Sequence, residues 1–442
     1  MGHLASGMKK TFSMIAFGWG IILISLFFYT DLTMPGVNQN SDYLMTFYTA
    51  GELVREGNTA ALYPPADAGT FVDTAFDKAA HVILPLLPVR ATAEYMYMPA
   101  VAGFFAPFSL MGPSVSLLAW QVVSLAALAI CAFLFSSKVN QESNANGLKA
   151  SAFWVALSLI PLAISIWIGQ VSVVFGLLPF MLGLFFILKK KDFLGGCCWA
   201  LTIIKPQFFV PALMLTVALA ATKRLRPSIG IVCGIALFAL LNLVAFSSSL
   251  VGQWLTTLKL AEMVYSDLKF GVAQHIATSL PRAIILLLPV SQHTIAKPLV
   301  YAMSAILGSI GLYFCVKLMR SNLPDANKLA LAAIVCIFAT PIIVPHVFFY
   351  DYSIFIGAGF LVYAFKWPAD LDWRLKSLLW LGWSLINIYG VIVLVNKKFA
   401  IPILFVLLML ELYRRTLVAA KIALQEPAKE PDNEIAISEA TT

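Results

Sequence analysis

Residues 98–111 read "MPAVAGFFAPFSLM", and the fold turns on whether this stretch crosses a membrane. As a helix rising about 1.5 Å per residue it would reach about 20 Å, short of a hydrocarbon core of roughly 30 Å. Pro99 and Pro107 punctuate it further. It is therefore expected to be a short interfacial or re-entrant piece, as is "LPRAIILLLPV" at 280–290. Charge supports the choice. A full crossing at 98–111 would invert every later segment up to "KRLR" at 223–226 and leave that basic cluster outside.

The rest of the 442-residue chain fits this frame. With 60% hydrophobic and only 12% charged residues, apolar side chains would cover the surface of a soluble globule, so the composition is that of a polytopic membrane protein. The net charge of +8 comes from basic residues scattered in pairs and triplets at the ends of apolar runs, which is a topology signal and not a nucleic-acid footprint. All six cysteines lie inside apolar runs, which argues against a disulfide framework or a metal cluster. Lys9 and Lys10 precede an apolar run from about Phe12 to Thr30 that is long for a signal peptide and lacks a small-residue cleavage site, so it reads as an uncleaved first span.

Further spans are expected near 113–136, 150–168, 171–188, 193–204, 206–221, 228–246, 299–317, 329–344, 347–365, 376–395 and 399–413, giving about twelve. With that number, 20 of the 30 basic residues fall on the inner side. The long loops 32–112 and 247–298 then face outward, as do the turns holding "GQVS" (169–172), "KPQ" (205–207), "PH" (345–346) and "NKK" (396–398). One membrane domain is expected over 1–415. A charged, aromatic-poor and disordered cytoplasmic tail is expected over 416–442.

Several polar residues on that outward side need an explanation. In "NQNSDYLMTFYTAGELVREGNTAALYPP" (38–65), Leu44, Phe47, Tyr48 and Gly51 recur at helical spacing, predicting a helix lying along the membrane surface. Asp42 or Ser41 is its natural N-cap. Lys205, followed by Pro206 and Gln207, separates two apolar halves; an ammonium there either snorkels to the interface or faces an anion such as a phosphate. On a helix beginning at His346, Tyr350 would share the histidine's face, and Asp351 would be an intramembrane carboxylate needing a partner. Gly169 and Gln170 form a tight hairpin, "YMYMP" at 95–99 places Tyr97 in a stiff aromatic segment, and His275 lies in the second outer loop. One carboxylate, a lysine at membrane depth and a histidine on one face suit a substrate with a lipid tail, an anionic head and a hydroxylated partner.

The order of "SDYLMTFYTAGELVREGNTAALYPP", "YMYMPAVAGFFAPFSLMGP", "WIGQVSVVFGLLPFMLGLF", "CCWALTIIKPQFFVPALML" and "ATPIIVPHVFFYDY" resembles glycosyltransferase family 87. That family comprises membrane-embedded enzymes of the GT-C fold, its best-known members being polyprenyl-phosphate-mannose-dependent α-1,2-mannosyltransferases. The likeness runs from about residue 10 to about residue 360. It implies an all-α polytopic GT-C glycosyltransferase of about 12 transmembrane helices, with interfacial helices in the first outer loop. By resemblance, Asp42 matches the family's catalytic base and His346 its donor-phosphate histidine, while Gly169, Gln170, Lys205 and Pro206 match its "GQ" turn and lysine–proline break. The chain departs from the pattern in "YMYMPA", where members carry a proline pair, and in "TPIIVPHVF" around the histidine; these departures bear on sugar and acceptor more than on fold.

The resulting expectation is a hexosyltransferase that moves a sugar, mannose by resemblance, from a polyprenyl-phosphate donor to an acceptor hydroxyl on a lipid or glycan, with inversion. Asp42 would be the general base. His346, Lys205, Gln170, Gln207, Tyr97, His275, Tyr350 and Asp351 would line the substrate or donor-phosphate site. No cofactor is expected, the lipid-linked donor being a substrate, and the absence of a D-x-D pair in the first loop lowers the expectation of a divalent metal. Membrane lipids are partners; nucleic acid is not. The expected location is the plasma (inner) membrane, multi-pass, with the site on the periplasmic or extracytoplasmic face. Two other classes stand as alternatives. One is a lipid or solute transporter with Lys205 and Asp351 on the path, although the two halves show no internal repeat; the other is a non-catalytic subunit of an envelope-glycan complex.

Overall fold

A computed structural model describes residues 2–87, 95–136, 151–266 and 276–425. Among the described residues the regular structure is helical, with one isolated bridge between Ala277 and Phe348. Six helices are long and apolar enough to cross a membrane: Met14–Thr33, Pro113–Leu134, Arg226–Ala245, Val290–Arg320, Asp325–Ile343 and Ala369–Phe399. Ile160–Trp167 and Ser172–Leu188 would make a seventh if counted together, but they meet at 114°. The protein is thus an all-α polytopic membrane protein.

By length and composition six helices, or seven with the bent pair, pass as single crossings, so the expected count of about twelve is not confirmed. Most of the apolar runs are helices, but several are short: Asp192–Ile204, Pro206–Ala220 and Phe349–Ala364 belong to this class. At about 1.5 Å per residue, 15 residues reach about 22 Å, less than the hydrocarbon thickness. Polar or proline-bearing breaks at Gly169–Gln170, Lys205–Pro206 and Pro345–His346 are what shorten them. The segment at 98–111 is short, as expected, with an α-helix over Pro99–Phe105 and a tighter 3₁₀ coil over Ala106–Leu110. The last helix runs over Pro402–Gln425 and buries Thr416, Ala419, Ala420 and Ala423. The folded part therefore passes the boundary expected at 415; the tail beyond Gln425 lies outside the described residues.

Asp325–Ile343 is the hub. Every residue from Leu329 to Ile342 is buried, and the helices Pro206–Ala220, His293–Arg320 and Pro402–Gln425 pack on it. All-round apolarity of this kind marks a helix surrounded by other helices. By contrast, Arg226–Ala245 leaves Leu237, Leu240, Leu241 and Val244 exposed, as suits contact with lipid tails.

The first long connection is packed more deeply than a surface helix. Tyr43–Tyr48 is a wide π-turn, and all six of its residues are buried; Thr49–Arg55 continues it as α-helix. This burial exceeds what the apolar spacing alone predicts. The reason is its neighbours: Phe105, Trp120 and Tyr97 cover the aromatic side. On the other side, the backbone of Phe105 comes so close to Gly51 that a Cβ there would lie 2.6 Å from its carbonyl. The expected capping role of Asp42 is also revised. Its backbone is already helical and its side chain makes no cap bond, whereas Ser41 Oγ accepts from the Leu44 amide at 3.4 Å.

Candidate active site

Freed from capping, the Asp42 carboxylate faces the hairpin at Gly169–Gln170. Gly169 has φ +68°, and a Cβ there would collide with the side chain of Tyr43. Only glycine supplies both the left-handed backbone and the clearance. Three bonds pin the turn: Trp120 Nε1 donates to Gly169 O at 2.9 Å, Gln170 N to Ser165 O at 2.8 Å, and Tyr43 N to Ile168 O at 3.0 Å. The last of these joins the turn to the start of the π-turn. Gln170 Nε2 consequently donates to Asp42 Oδ2.

The other end of the same carboxamide accepts from Lys205. This lysine stands at the break between Thr202–Ile204 and Pro206–Ala220 and is buried. Its Nζ donates to Gln170 Oε1 at 3.0 Å, lies 3.4 Å from Asp351 Oδ1, and sits 5.0 Å from the centre of the Tyr350 ring. The Tyr97 side chain is near enough to interact electrostatically with it. Asp351, buried as well, accepts from Ser172 Oγ at 3.2 Å and from the Phe348 amide at 3.0 Å. Two carboxylates and one ammonium thus share a poorly hydrated site, and each is hydrogen-bonded, as buried charges require. Burial pushes the Asp42 carboxyl above the usual carboxylate range; the Gln170 hydrogen bond and the Lys205 charge pull against it, and the Asp351 charge adds to the rise.

His346 is not on a helix. Residues 344–348 are irregular, Thr278 N donates to Val347 O at 2.9 Å, and a 3₁₀ helix begins only at Phe349. The expectation that Tyr350 lies one helical turn below His346 is therefore corrected; the backbone at 347–348 pairs with 277–278 instead of starting a helix. The imidazole Nε2 pairs instead with Glu262 Oε2 at 3.0 Å, and Lys297 Nζ donates to Glu262 Oε1 at 3.3 Å. The histidine's hydrogen bond, with lesser help from Lys297, holds the Glu262 carboxyl down at about 2. Gln207 Nε2 donates to the His346 carbonyl at 3.0 Å, so this second cluster adjoins the lysine–proline break.

Of the expected site residues, the structure brings Asp42, Gln170, Lys205, Tyr97, Tyr350 and Asp351 together and sets Gln207 and His346 beside them. His275 lies outside the described residues. Sequence reasoning missed Ser172, Glu262 and Lys297. The serine could have been found as the polar residue two positions after Gln170, but Glu262 and Lys297 sit in ordinary amphipathic surroundings. Among the described residues no three His, Cys, Asp or Glu side chains gather as a metal site.

Compared with known proteins, residues 95–345 match the model of glycosyltransferase family 87. No curated protein and no solved structure matches the chain.

Proposed function

Because the chain belongs to glycosyltransferase family 87 and is a membrane glycosyltransferase, we propose that it transfers a sugar, mannose by family resemblance, from a polyprenyl-phosphate donor to an acceptor hydroxyl on the extracytoplasmic face of the plasma membrane, with Asp42 as general base. The observation that carries this reading is the hydrogen bond from Gln170, inside the matched region, to Asp42, which lies outside it. That bond brings a carboxylate of raised proton affinity into the family's part of the molecule.

The chemistry is a single displacement. Asp42 takes the proton of the acceptor hydroxyl as its oxygen attacks the anomeric carbon, and the bond from that carbon to the phosphate oxygen breaks with its electron pair. Attack from the face opposite the leaving group inverts the centre. Polyprenyl phosphate departs with added negative charge, which His346 and Lys297 are suited to receive: both already donate to an anion, the Glu262 carboxylate.

A positioned general base contributes typically about 10² to 10⁴-fold. Asp42→Asn, reconstituted in liposomes with a radiolabelled polyprenyl-phosphate mannose and an acceptor lipid extract, is expected to lose transfer by about that factor. Transfer at the wild-type rate would remove Asp42 from the role. Mass spectrometry of the product identifies sugar and acceptor.

A further inference from the structure

The three groups beyond Asp42 are arranged in series, and their hydrogen-bonding capacity is taken up within the protein. Lys205 Nζ meets Gln170 Oε1 at 3.0 Å and Asp351 Oδ1 at 3.4 Å, with the Tyr350 ring centre 5.0 Å away. Its ammonium is thus turned toward partners inside the protein. Gln170 and Lys205 are 4% and 3% exposed and Asp351 is 1% exposed, so substrate does not reach them without displacing one another's partners.

A carboxamide between an ammonium and a carboxylate has only one good orientation. Its oxygen must face Lys205 and its nitrogen must face Asp42, which is the arrangement seen. The flipped amide would set oxygen against carboxylate and NH₂ against ammonium. Asp351 fixes Lys205, Lys205 fixes the amide, and the amide fixes the Asp42 carboxylate. We propose that Asp351, Lys205 and Gln170 form a positioning chain that sets the orientation and ionisation of Asp42, and that Lys205 serves the base and not the donor phosphate. The inference rests on Asp42 being the base, as proposed above.

The charged and titratable groups acting on Asp42 are Lys205, Asp351 and Tyr97, with Gln170 the direct hydrogen-bond partner. The lysine charge favours the ionised carboxylate and the Asp351 charge opposes it. The two ends of the chain should therefore move the base in opposite directions, which a merely structural role would not produce.

The test follows the acid limb of the pH–kcat profile in proteoliposomes, together with the Asp42 carboxyl band in the infrared, taken as wild type minus Asp42→Asn without donor. Lys205→Met and Gln170→Leu should shift both to higher pH by about one unit, and Asp351→Asn should shift them lower. The double variant Lys205→Met/Asp351→Asn leaves no lone buried charge and should fall between the singles, so it decides the matter if a single variant fails to fold. Unmoved limbs, or shifts of one sign throughout, would overturn the chain. So would a Lys205→Met enzyme whose donor KM rises while its pH profile stays put, since that marks a phosphate ligand. If Asp42→Asn proves fully active, the base reading fails by itself, and the infrared titration still reports whether the chain controls this carboxyl.

Discussion

Asp42 meets two opposed demands. A base at neutral pH must be ionised, yet its surroundings favour the neutral acid, and burial outweighs the help of Gln170 and Lys205. The sign for stability follows. A carboxyl whose folded-state value is raised supplies stability that is complete below its unfolded value, about 3.9, and is lost as pH rises through the folded value. Asp42→Asn, a permanent mimic of the neutral form, is therefore expected to melt higher than wild type at pH 7 while being the slower enzyme. The gain should vanish at low pH, which thermal unfolding in detergent across pH would show. At the proposed leaving-group end, Lys297→Met removes a charge-assisted hydrogen bond of about 1.5–3 kcal/mol, so donor KM should rise roughly tenfold or more with little change in the pH profile. The site was legible where a polar residue interrupts an apolar run, as at Gln170, Lys205 and Asp351, because such an interruption needs a partner. It was illegible at Glu262 and Lys297, whose meeting with each other and with His346 joins positions 35 and 84 residues apart without any local pattern.

Between residue and fold stand the breaks in the helices, and these carry the site. The hairpin at Gly169 presents Gln170, the break before Pro206 presents Lys205, and the late start of the helix after His346 presents Asp351 as acceptor for the Phe348 amide. Two glycines with positive φ allow the effect of crowding to be isolated. Gly57 has φ +75° with nothing within 4 Å of a would-be Cβ, whereas Gly169 at φ +68° would drive a Cβ into Tyr43. Gly57→Ala should cost about 1–2 kcal/mol for the left-handed backbone alone. Gly169→Ala should cost about 2–5 kcal/mol, overpacking being added, and should abolish transfer by displacing Tyr43 and with it Asp42. Chemical denaturation in micelles gives the ordering, and equal costs would remove the clash at Tyr43 as the reason for glycine. At this scale, apolarity announced the helices but not their lengths. The runs around 193–221 read as two crossings, and only the geometry at Lys205 shows two short helices meeting at a polar break. The aromatic stretch at 43–48 likewise shows helical spacing from its apolar residues, and that spacing carries no information about the neighbours that bury all six of its residues.

Across the whole molecule the decisive question is which ends of the helices share a face. The short form of 98–111 is expected to leave Asp42 and Met111 on one side of the membrane, and the Phe105 backbone packed on Gly51 already ties the two ends of that connection together. The pairing of Glu262 with His346, and of Gln207 with the His346 carbonyl, brings the second long connection to the same end of the bundle. Basic residues at Lys189–Lys191 and at Lys223–Arg226 should then lie at the opposite end, where the positive-inside rule puts the cytoplasm. Single cysteines in a background lacking the six native ones test this directly. Asp67→Cys and Ser291→Cys, both at exposed positions, should react with an impermeant maleimide added outside intact cells, and Lys223→Cys, also exposed, should react only after the membrane is opened. A span at 98–111 would instead put positions 67 and 223 on the same side, so that both would label from outside. Labelling of positions 67 and 291 from opposite sides would separate Asp42 from the Glu262–His346 pair, and the donor phosphate could then no longer be placed beside the base.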